Sequence, residues 1–309
     1  MPKYTVQRSI VIRAPIETVF DTVVDYSTWT RWSPWLGIDR NAVVKVSDDP
    51  KSVHSVYHWN GDLVGHGEIE HFNLERPTLI EDQIRFFKPF RSRSGVSFIL
   101  RSVDDGTQIT WQMDGRLPWL LFWMQSNMEA YIGMDYERGL KMLAELIETG
   151  QVLSQTHVIG VEQTAAQDVY GVAGSCPTDD VGPAMSEAFA KVNSAFSSAG
   201  LSVDGRMLSI YHPCDLKKRQ FHFTSGYSVN PDSPLPDGLV HCRLPPGRTL
   251  HIRHTGRYEN LGNAWSGAHQ YARYKKLKLA HRDAWEVYAN SPDDTPLADL
   301  VTNIFLPLK

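Results

Sequence analysis

The sequence has few cysteines, no long apolar run and no signal-peptide pattern, and each shortage excludes a class of protein. The three cysteines, Cys176, Cys214 and Cys242, are scattered, which argues against a disulfide framework and favours a reducing compartment. The longest strongly apolar stretch, LPWLLFWM at 117–124, is far shorter than the roughly 20 residues that span a bilayer. The opening MPKYTVQRSI lacks an apolar signal-peptide core. We therefore expect a soluble cytoplasmic protein without a membrane partner.

The sequence also lacks the basic excess that nucleic-acid binding requires. The net charge is -4 and the pI is about 6.3, and the one basic run, at 271–282, falls at the end of a predicted helix, where cations suit the helix dipole. We predict that fluorescence anisotropy of a random DNA duplex stays flat into the micromolar range at about 0.15 M salt. Tight, salt-sensitive binding would show that the basic run is a phosphate-binding track.

Length and composition are those of an ordinary globular protein with two domains. The chain has 309 residues, of which 42% are hydrophobic and 21% charged, and domains usually span about 100–200 residues. Nine tryptophans are many for this length and indicate an aromatic core or the wall of an apolar pocket. Walker, Rossmann and nucleophile-elbow motifs are missing from the sequence, so we expect no cofactor.

The first half of the chain alternates in a pattern typical of a curved antiparallel sheet covered by one helix. A strand, YTVQRSIVIR, and a helix, APIETVFDTVVDY, are followed by a series of period-2 segments. Asn60-Gly61 and Asp105-Gly106 are hairpin turn signals. A long amphipathic helix is predicted over 126–148, with Ile132, Tyr136 and Leu140 on its apolar face. One long helix can bury one face of a curved sheet.

These segments resemble the SRPBCC superfamily, the helix-grip fold of START lipid-transfer domains and polyketide cyclases. The segments that carry the resemblance are RSIVIRAPIETVFDTVVDYSTWTRWSPW, YHWNGDLVGHGEIE and DDGTQITWQM. The resemblance implies an α+β fold for residues 1–149, a curved antiparallel sheet on a long C-terminal helix, with a hydrophobic cavity. It does not imply one chemistry, because the superfamily shares a cavity rather than a reaction. We predict that Trp32, Trp59 and Trp111 line this cavity.

The second half contains an internal repeat, with one copy at about 157–227 and the other at about 240–307. Each copy has a strand, a helix with the same apolar rhythm, and two further strands, in the order β-α-β-β. A short strand ends in tyrosine in both copies, MLSIY at 207–211 and AWEVY at 284–288. Two such copies related by a pseudo-two-fold axis would place a pocket between the halves.

The repeat, with HTGRYENLGNAW, AWEVYANSPDD and TNIFLPLK, resembles the GyrI-like family over residues 156–309. These are the effector-binding domains of some AraC-type and MerR-type multidrug regulators, and they also occur alone. The resemblance implies that the glutamate of the E-x-Y strand, here Glu286, lies in an aromatic pocket and meets cationic ligands. This chain departs from the regulators, since an SRPBCC-like domain stands where their DNA-binding module would be. That departure puts a role as a transcription factor in doubt.

Glu286 is also anomalous on physical grounds, because glutamate is disfavoured in strands and a buried carboxylate is costly without a partner. The repeat aligns Ser209 with Glu286 and Tyr211 with Tyr288, so the symmetric frame would hold a single carboxylate. The alternative interpretation is that Glu286 points into solvent and has no role in binding. We predict instead that Glu286 faces a ligand, together with a set of aromatic residues: Tyr211, Tyr288, Tyr258 and Trp265.

Other polar constellations are better explained as surface. His66, Glu68 and Glu70 share one face of a predicted strand, and an acid-base group is imaginable there. Their alternation with Ile69 is that of the wet side of an antiparallel strand. Histidine pairs elsewhere have spacings that do not suit a single ion, so no metal site is predicted.

The sequence thus predicts a small-molecule binding protein with one hydrophobic cavity in each domain. The ligands would be lipophilic or aromatic compounds, including cations, and the role would be to sense or sequester them. The alternative is an enzyme, a detoxifying hydrolase or a cyclase, in which Glu286 and Tyr288 supply general acid-base chemistry. Turnover of a ligand separates the two readings; the sequence leaves both open, and it leaves the oligomeric state open too.

Overall fold

The computed structural model describes residues 3–39, 41–88, 91–116, 125–203, 205–213 and 220–309. The apolar stretch 117–124 lies outside these residues. The chain divides into two compact units, residues 1–152 and residues 153–309, called here the N-terminal and the C-terminal unit.

The N-terminal unit is a seven-stranded antiparallel sheet in the order β1-β7-β6-β5-β4-β3-β2. Every neighbouring pair except β1 and β7 is consecutive in the chain, so the sheet is a meander whose first strand closes onto its last. The bounds of its strands are β1 (Lys3–Ile12), β2 (Val43–Val46), β3 (Val56–Gly61), β4 (Gly65–Glu75), β5 (Leu79–Lys88), β6 (Ser92–Val103) and β7 (Gly106–Arg116).

Two helices of this unit bury one face of the sheet: α1 (Ile16–Val24) and α2 (Gln125–Thr149). The apolar face predicted for the long helix is the buried one, with Tyr136, Leu140 and Leu143 at 1% exposure or less. The inner residues of the strands alternate with polar outer residues, as the period-2 pattern predicts. The helix-grip expectation is therefore confirmed.

The C-terminal unit is an eight-stranded sheet in the order β12-β9-β11-β10-β14-β15-β13-β8, with two helices, α3 (Val181–Ser198) and α4 (Leu261–Tyr274). The two central strands, β10 and β14, are antiparallel, and each belongs to one repeat. The bounds of the strands are β8 (Ser154–Thr164), β9 (Gln167–Pro177), β10 (Met207–Tyr211), β11 (Gln220–Val229), β12 (Val240–Leu244), β13 (Gly247–Gly256), β14 (Ala284–Tyr288) and β15 (Val301–Pro307).

The strand order shows the repeat as a pseudo-two-fold relation between the two halves of the sheet. Strands β9, β11 and β10 of the first repeat mirror β13, β15 and β14 of the second. Each repeat also carries one strand more than the predicted β-α-β-β core, and these extra strands are exchanged. β8 pairs with β13 of the second repeat, and β12 pairs with β9 of the first. The expected GyrI-like fold is confirmed. The exchange of the strands β8 and β12 between the repeats is an addition to the prediction.

Among the helices in the described part of the chain, none has both the length and the apolar character that a bilayer crossing requires.

We predict that the polar segment 149–156 is the boundary at which brief proteolysis first cuts the chain. Each unit holds its own buried apolar cluster on its own side of this segment, so cleavage there should leave two stable halves. Mass spectrometry of the early fragments identifies the cut. First cuts elsewhere, with a single protected core, would contradict the boundary.

Candidate ligand site around Glu286

Glu286 lies at the middle of β14, one of the two central strands of the C-terminal unit. Side chains alternate across the sheet, so Glu286 and Tyr288 share the helix-facing side, while Trp285 and Val287 join an apolar cluster on the other side. Only 1% of Glu286 is exposed. The residue is therefore a buried carboxylate at the pseudo-two-fold centre of the sheet.

Three neutral donors hold the Glu286 carboxylate. The indole Nε1–H of Trp265 donates to Oε1. The hydroxyls of Tyr288 and Tyr211 both donate to Oε2, at 2.8 Å and 3.0 Å. Within the described residues the carboxylate thus accepts three hydrogen bonds but has no cation bonded to it.

Each helix sends an aromatic ring to a tyrosine of the opposite repeat. Trp265, on α4 of the second repeat, meets Tyr211 of the first repeat at a centroid distance of 5.1 Å. Phe189, on α3 of the first repeat, meets Tyr288 of the second at 5.9 Å. The two contacts are equivalent in the pseudo-symmetric frame. The asymmetry is chemical, since the indole can donate to Glu286 and the phenyl ring cannot.

A chain of hydroxyl groups continues the network away from Glu286. Ser209 lies directly opposite Glu286 in the sheet, and its Oγ is 3.3 Å from the Tyr288 hydroxyl and 2.7 Å from the Ser225 Oγ. The Tyr288 hydroxyl has one proton, and its contact with Glu286 Oε2 is shorter than its contact with Ser209 Oγ. The buried serine hydroxyls thus extend the polar network from Glu286 across β10 to β11.

Burial sets the protonation chemistry of the site. Desolvation raises the pKa of Glu286 above its ordinary value, and the hydrogen bonds from Trp265, Tyr288 and Tyr211 act in the opposite direction. Desolvation and the Glu286 charge together raise the pKa of both Tyr211 and Tyr288 well above 10. The tyrosines therefore remain donors at neutral pH, and Glu286 is the group in this site that titrates.

We predict that Glu286→Gln becomes progressively more stable relative to the parent as the pH rises above 4.5. A carboxyl whose folded-state pKa is raised stabilises the protein fully below its unfolded pKa of 4.5, and this contribution is lost as the pH rises through the folded pKa. Urea unfolding between pH 4 and pH 8 measures the difference. Glu259→Gln, whose parent side chain is 66% exposed, is the control, and a variant that tracks the parent at every pH would contradict the raised pKa.

The structure brings the predicted residues of the C-terminal unit together. Tyr258 meets the Tyr288 ring at 5.4 Å and donates to the backbone oxygen of Asn290; burial, Glu286 and Asp293 raise its pKa to about 12. Trp265, Tyr211 and Tyr258 are themselves partly exposed. One layer of aromatic side chains therefore separates the carboxylate from solvent.

The predicted residues of the N-terminal unit form a different kind of environment. Trp32, Trp59 and Trp111 are 1%, 9% and 2% exposed and belong to one continuous aromatic core. Trp32 and Trp111 are in edge contact at 5.7 Å, and Trp111 is stacked on Tyr136 at 4.0 Å. Trp59 contacts other rings of the core, those of Tyr57 and Phe86. The role of the three tryptophans as ligand-lining residues stays a prediction.

Sequence reasoning missed a buried polar pair in that core, His71 and Asp82. His71 Nδ1 is 2.6 Å from Asp82 Oδ1, and His71 Nε2 is 2.9 Å from the carbonyl oxygen of Val24. A carbonyl oxygen can only accept, so Nε2 carries a proton and a second proton is shared with Asp82. Tyr26 is stacked on the imidazole at 3.9 Å. The sequence did contain a signal for this pair, because Asp82 lies between Ile80 and Ile84 on the inner face of β5.

The outer face of the same sheet is polar, as expected for the row of His66, Glu68 and Glu70. Arg85 bonds both glutamates, and His66 Nε2 lies 2.8 Å from His58 Nε2. Within the described residues, no group of three or more histidine, cysteine, aspartate or glutamate side chains has the geometry to hold a metal ion.

Both halves of the chain match family models. Residues 3–148 match the family described as polyketide cyclase/dehydrase and lipid transport, and residues 158–309 match the GyrI-like small-molecule-binding domain. Both resemblances inferred from the sequence are confirmed, in the predicted order. No curated protein matches the chain.

Several solved structures are similar to about half of the chain. A protein of Chromobacterium violaceum is 21% identical over 47% of this chain and 97% of its own, with a TM-score of 0.36. A protein of Mesorhizobium loti is 18% identical over 48% of this chain and 100% of its own, with a TM-score of 0.38. The C-terminal domain of EcmrR is 17% identical over 51% of this chain and 99% of its own, with a TM-score of 0.42. On the family matches, the chain consists of a polyketide cyclase/dehydrase and lipid transport domain followed by a GyrI-like small-molecule-binding domain.

Proposed function

We propose that the C-terminal unit binds lipophilic aromatic cations and that the protein senses or sequesters such compounds. The observation that carries this proposal is the Glu286 carboxylate, which is 1% exposed and bonded to neutral donors in the described structure. The GyrI-like match shows a small-molecule-binding domain; the nature of the ligand is our inference from the site.

The electrostatics favour a cation over other ligands. A buried carboxylate without a counter-charge is disfavoured, and its raised pKa expresses that cost. A ligand cation would supply the missing charge in a medium where it is only weakly screened. The rings of Trp265, Tyr211, Tyr258 and Tyr288 add cation–π attraction and apolar contact area.

Access to the carboxylate requires only the outer aromatic layer to move. Trp265 and Tyr211 are partly exposed and belong to different repeats. Both donate hydrogen bonds to the Glu286 carboxylate. We infer that a cation displaces the indole of Trp265 from Oε1 while the Tyr288 bond to Oε2 holds the carboxylate in place.

The N-terminal unit would supply a second compartment for a lipophilic ligand. Its match to a polyketide cyclase/dehydrase and lipid transport family favours this. Its aromatic core also contains a buried hydroxyl, that of Tyr57, without a hydrogen-bond partner in the described structure. Native interiors leave few such atoms unsatisfied, which supports an occupant, either water or a ligand.

An enzyme remains the second candidate, since a carboxyl of raised pKa beside a tyrosine suits general acid-base chemistry. In that case Glu286→Gln should abolish turnover while neutral substrate still binds. Chromatography of a candidate ligand after incubation with the protein separates an enzyme from a binder.

Titration of rhodamine 6G with the full-length protein tests the proposal. The fluorescence anisotropy of the dye should rise to saturation at micromolar protein. Non-fluorescent aromatic cations such as benzyltrimethylammonium analogues should displace the bound dye and lower its anisotropy. Absence of saturable binding by any of these cations would overturn it.

A further inference from the structure

A row of polar side chains crosses the sheet beside the Glu286 network. Tyr288 lies directly opposite Thr302 on β15, and Thr302 lies directly opposite His254 on β13. Directly paired residues project to the same side of a sheet, so all three face the helices, as Glu286 does. Thr302 and His254 are completely buried.

The hydrogen bonds around His254 are compatible with a proton on Nδ1. The side-chain amide of Asn263 donates to Ser154 Oγ at 2.9 Å, and that hydroxyl lies 3.3 Å from His254 Nε2. An amide N–H can only donate, so Ser154 Oγ accepts from Asn263, and its own proton is free to point to Nε2. We assign the imidazole proton to Nδ1 on this arrangement. Burial lowers the pKa of His254 to about 4, so the ring is neutral at physiological pH.

Two atoms of this row have no hydrogen-bond partner in the described structure. His254 Nδ1 and Thr302 Oγ1 are buried polar atoms without a hydrogen bond in the described structure. Buried polar groups are nearly always satisfied in native proteins, and each exception calls for a reason. Here two exceptions are neighbours, both can donate, and the row they belong to begins at Tyr288, which bonds Glu286.

We propose that Thr302 and His254 form a second anchor of the Glu286 site, which donates hydrogen bonds to an acceptor oxygen of the ligand. This inference rests on the proposed function and names its ligand more closely: an aromatic cation that carries a carbonyl group at its far end. The Cα atoms of Glu286 and His254 are two residues apart along the strand and two strands apart across the sheet, about 12 Å in all. One or two phenyl rings span such a distance.

Matched probes test the second anchor. Trimethylammonium cations with a benzyl or a 4-phenylbenzyl body are prepared with a terminal acetyl group or with an isopropyl group of similar size. Isothermal titration of the full-length protein should show about tenfold tighter binding of the acetyl member for at least one of the two lengths. The preference should disappear in Thr302→Val, which keeps the shape of the side chain and removes its hydroxyl.

The variants separate this inference from the proposed function. Thr302→Val should bind the isopropyl cation as the parent does and should melt at the same or a higher temperature, because it deletes an unpartnered buried hydroxyl. His254→Leu should also lose the acetyl preference. If His254→Leu does not fold, the result for Thr302→Val alone tests the second anchor. Glu286→Gln should weaken both members equally and leave their ratio unchanged.

Equal binding of the acetyl and isopropyl cations at both lengths, with Glu286→Gln still weakening them, would overturn the second anchor and leave the proposed function in place. Persistence of the acetyl preference in Thr302→Val would overturn it as well. Failure of every cation to bind the parent protein would overturn both proposals together.

Discussion

Glu286→Gln should weaken the binding of a lipophilic cation such as rhodamine 6G by roughly 2 kcal/mol or more, about 30-fold. The substitution preserves the size of the side chain and removes the charge that the cation meets. A neutral aromatic ligand of similar shape should lose much less, because its contacts with the aromatic layer do not depend on the carboxylate. Fluorescence anisotropy and competition titrations measure both affinities.

The pH dependence of the same titration gives an internal check. A cation favours the ionised carboxylate, so its affinity for the parent should rise as the pH increases through the raised pKa of Glu286. The variant should show no such rise. Glu259→Gln, an exposed glutamate in the same unit, should behave like the parent. A Glu286→Gln variant with unchanged cation affinity would leave the buried carboxylate without a role in binding.

Asp82→Ala should destabilise the N-terminal unit by about 3 kcal/mol or more. The substitution leaves His71 Nδ1 buried without a partner, with Nε2 still bonded to the carbonyl of Val24, and removal of one member of a buried pair costs more than the pair contributes. Seven of the nine tryptophans lie in this unit, so urea unfolding followed by tryptophan fluorescence reports mainly on it.

The control is an ion pair of the same unit at the surface. Asp21 pairs with Arg76, and the two side chains are 47% and 56% exposed. Asp21→Ala should cost no more than about 1 kcal/mol, because water and salt screen exposed pairs. Equal effects of the two substitutions would show that the His71–Asp82 pair does not stabilise the unit.

The architecture could be predicted because the apolar periodicity is strong and local. The helix predicted over 126–148 is observed as Gln125–Thr149, since Tyr136, Leu140 and Leu143 make one unbroken stripe. The repeat could be recognised because a helix and a tyrosine-ending strand recur in the same order. Each of these signals lies within a short window of sequence.

Turn positions were less predictable than the hairpins themselves. The dipeptide Asn60-Gly61 was a strong turn signal, yet Gly61 still belongs to β3 and pairs with Gly65. The turn falls at residues 62–64, because the pairing of Trp59 with Gly67 sets the register. The Gly67 position leaves room for the Trp59 ring where a side chain would collide with it. Packing of the aromatic core decides the turn here, and turn propensity does not.

Long-range pairings were outside the reach of sequence patterns. The exchange of β8 and β12 between the repeats follows from the whole sheet, since β8 is two residues from β9 in the chain but pairs with β13. The approach of Trp265 to Glu286 is likewise a tertiary contact, between α4 and β14. The family resemblance could place Glu286 in an aromatic pocket, but it could not show that two tyrosines and an indole already satisfy the carboxylate.

The most direct test is a crystal structure of the full-length protein with one of the aromatic cations bound. We expect the positive charge to lie within about 5 Å of the Glu286 carboxylate, over the ring of Tyr211 or Tyr288, with the Trp265 indole displaced from Oε1. A cation bound elsewhere, with the Trp265, Tyr211 and Tyr288 bonds to Glu286 unchanged, would contradict the proposed function and make Glu286 a structural residue of the sheet.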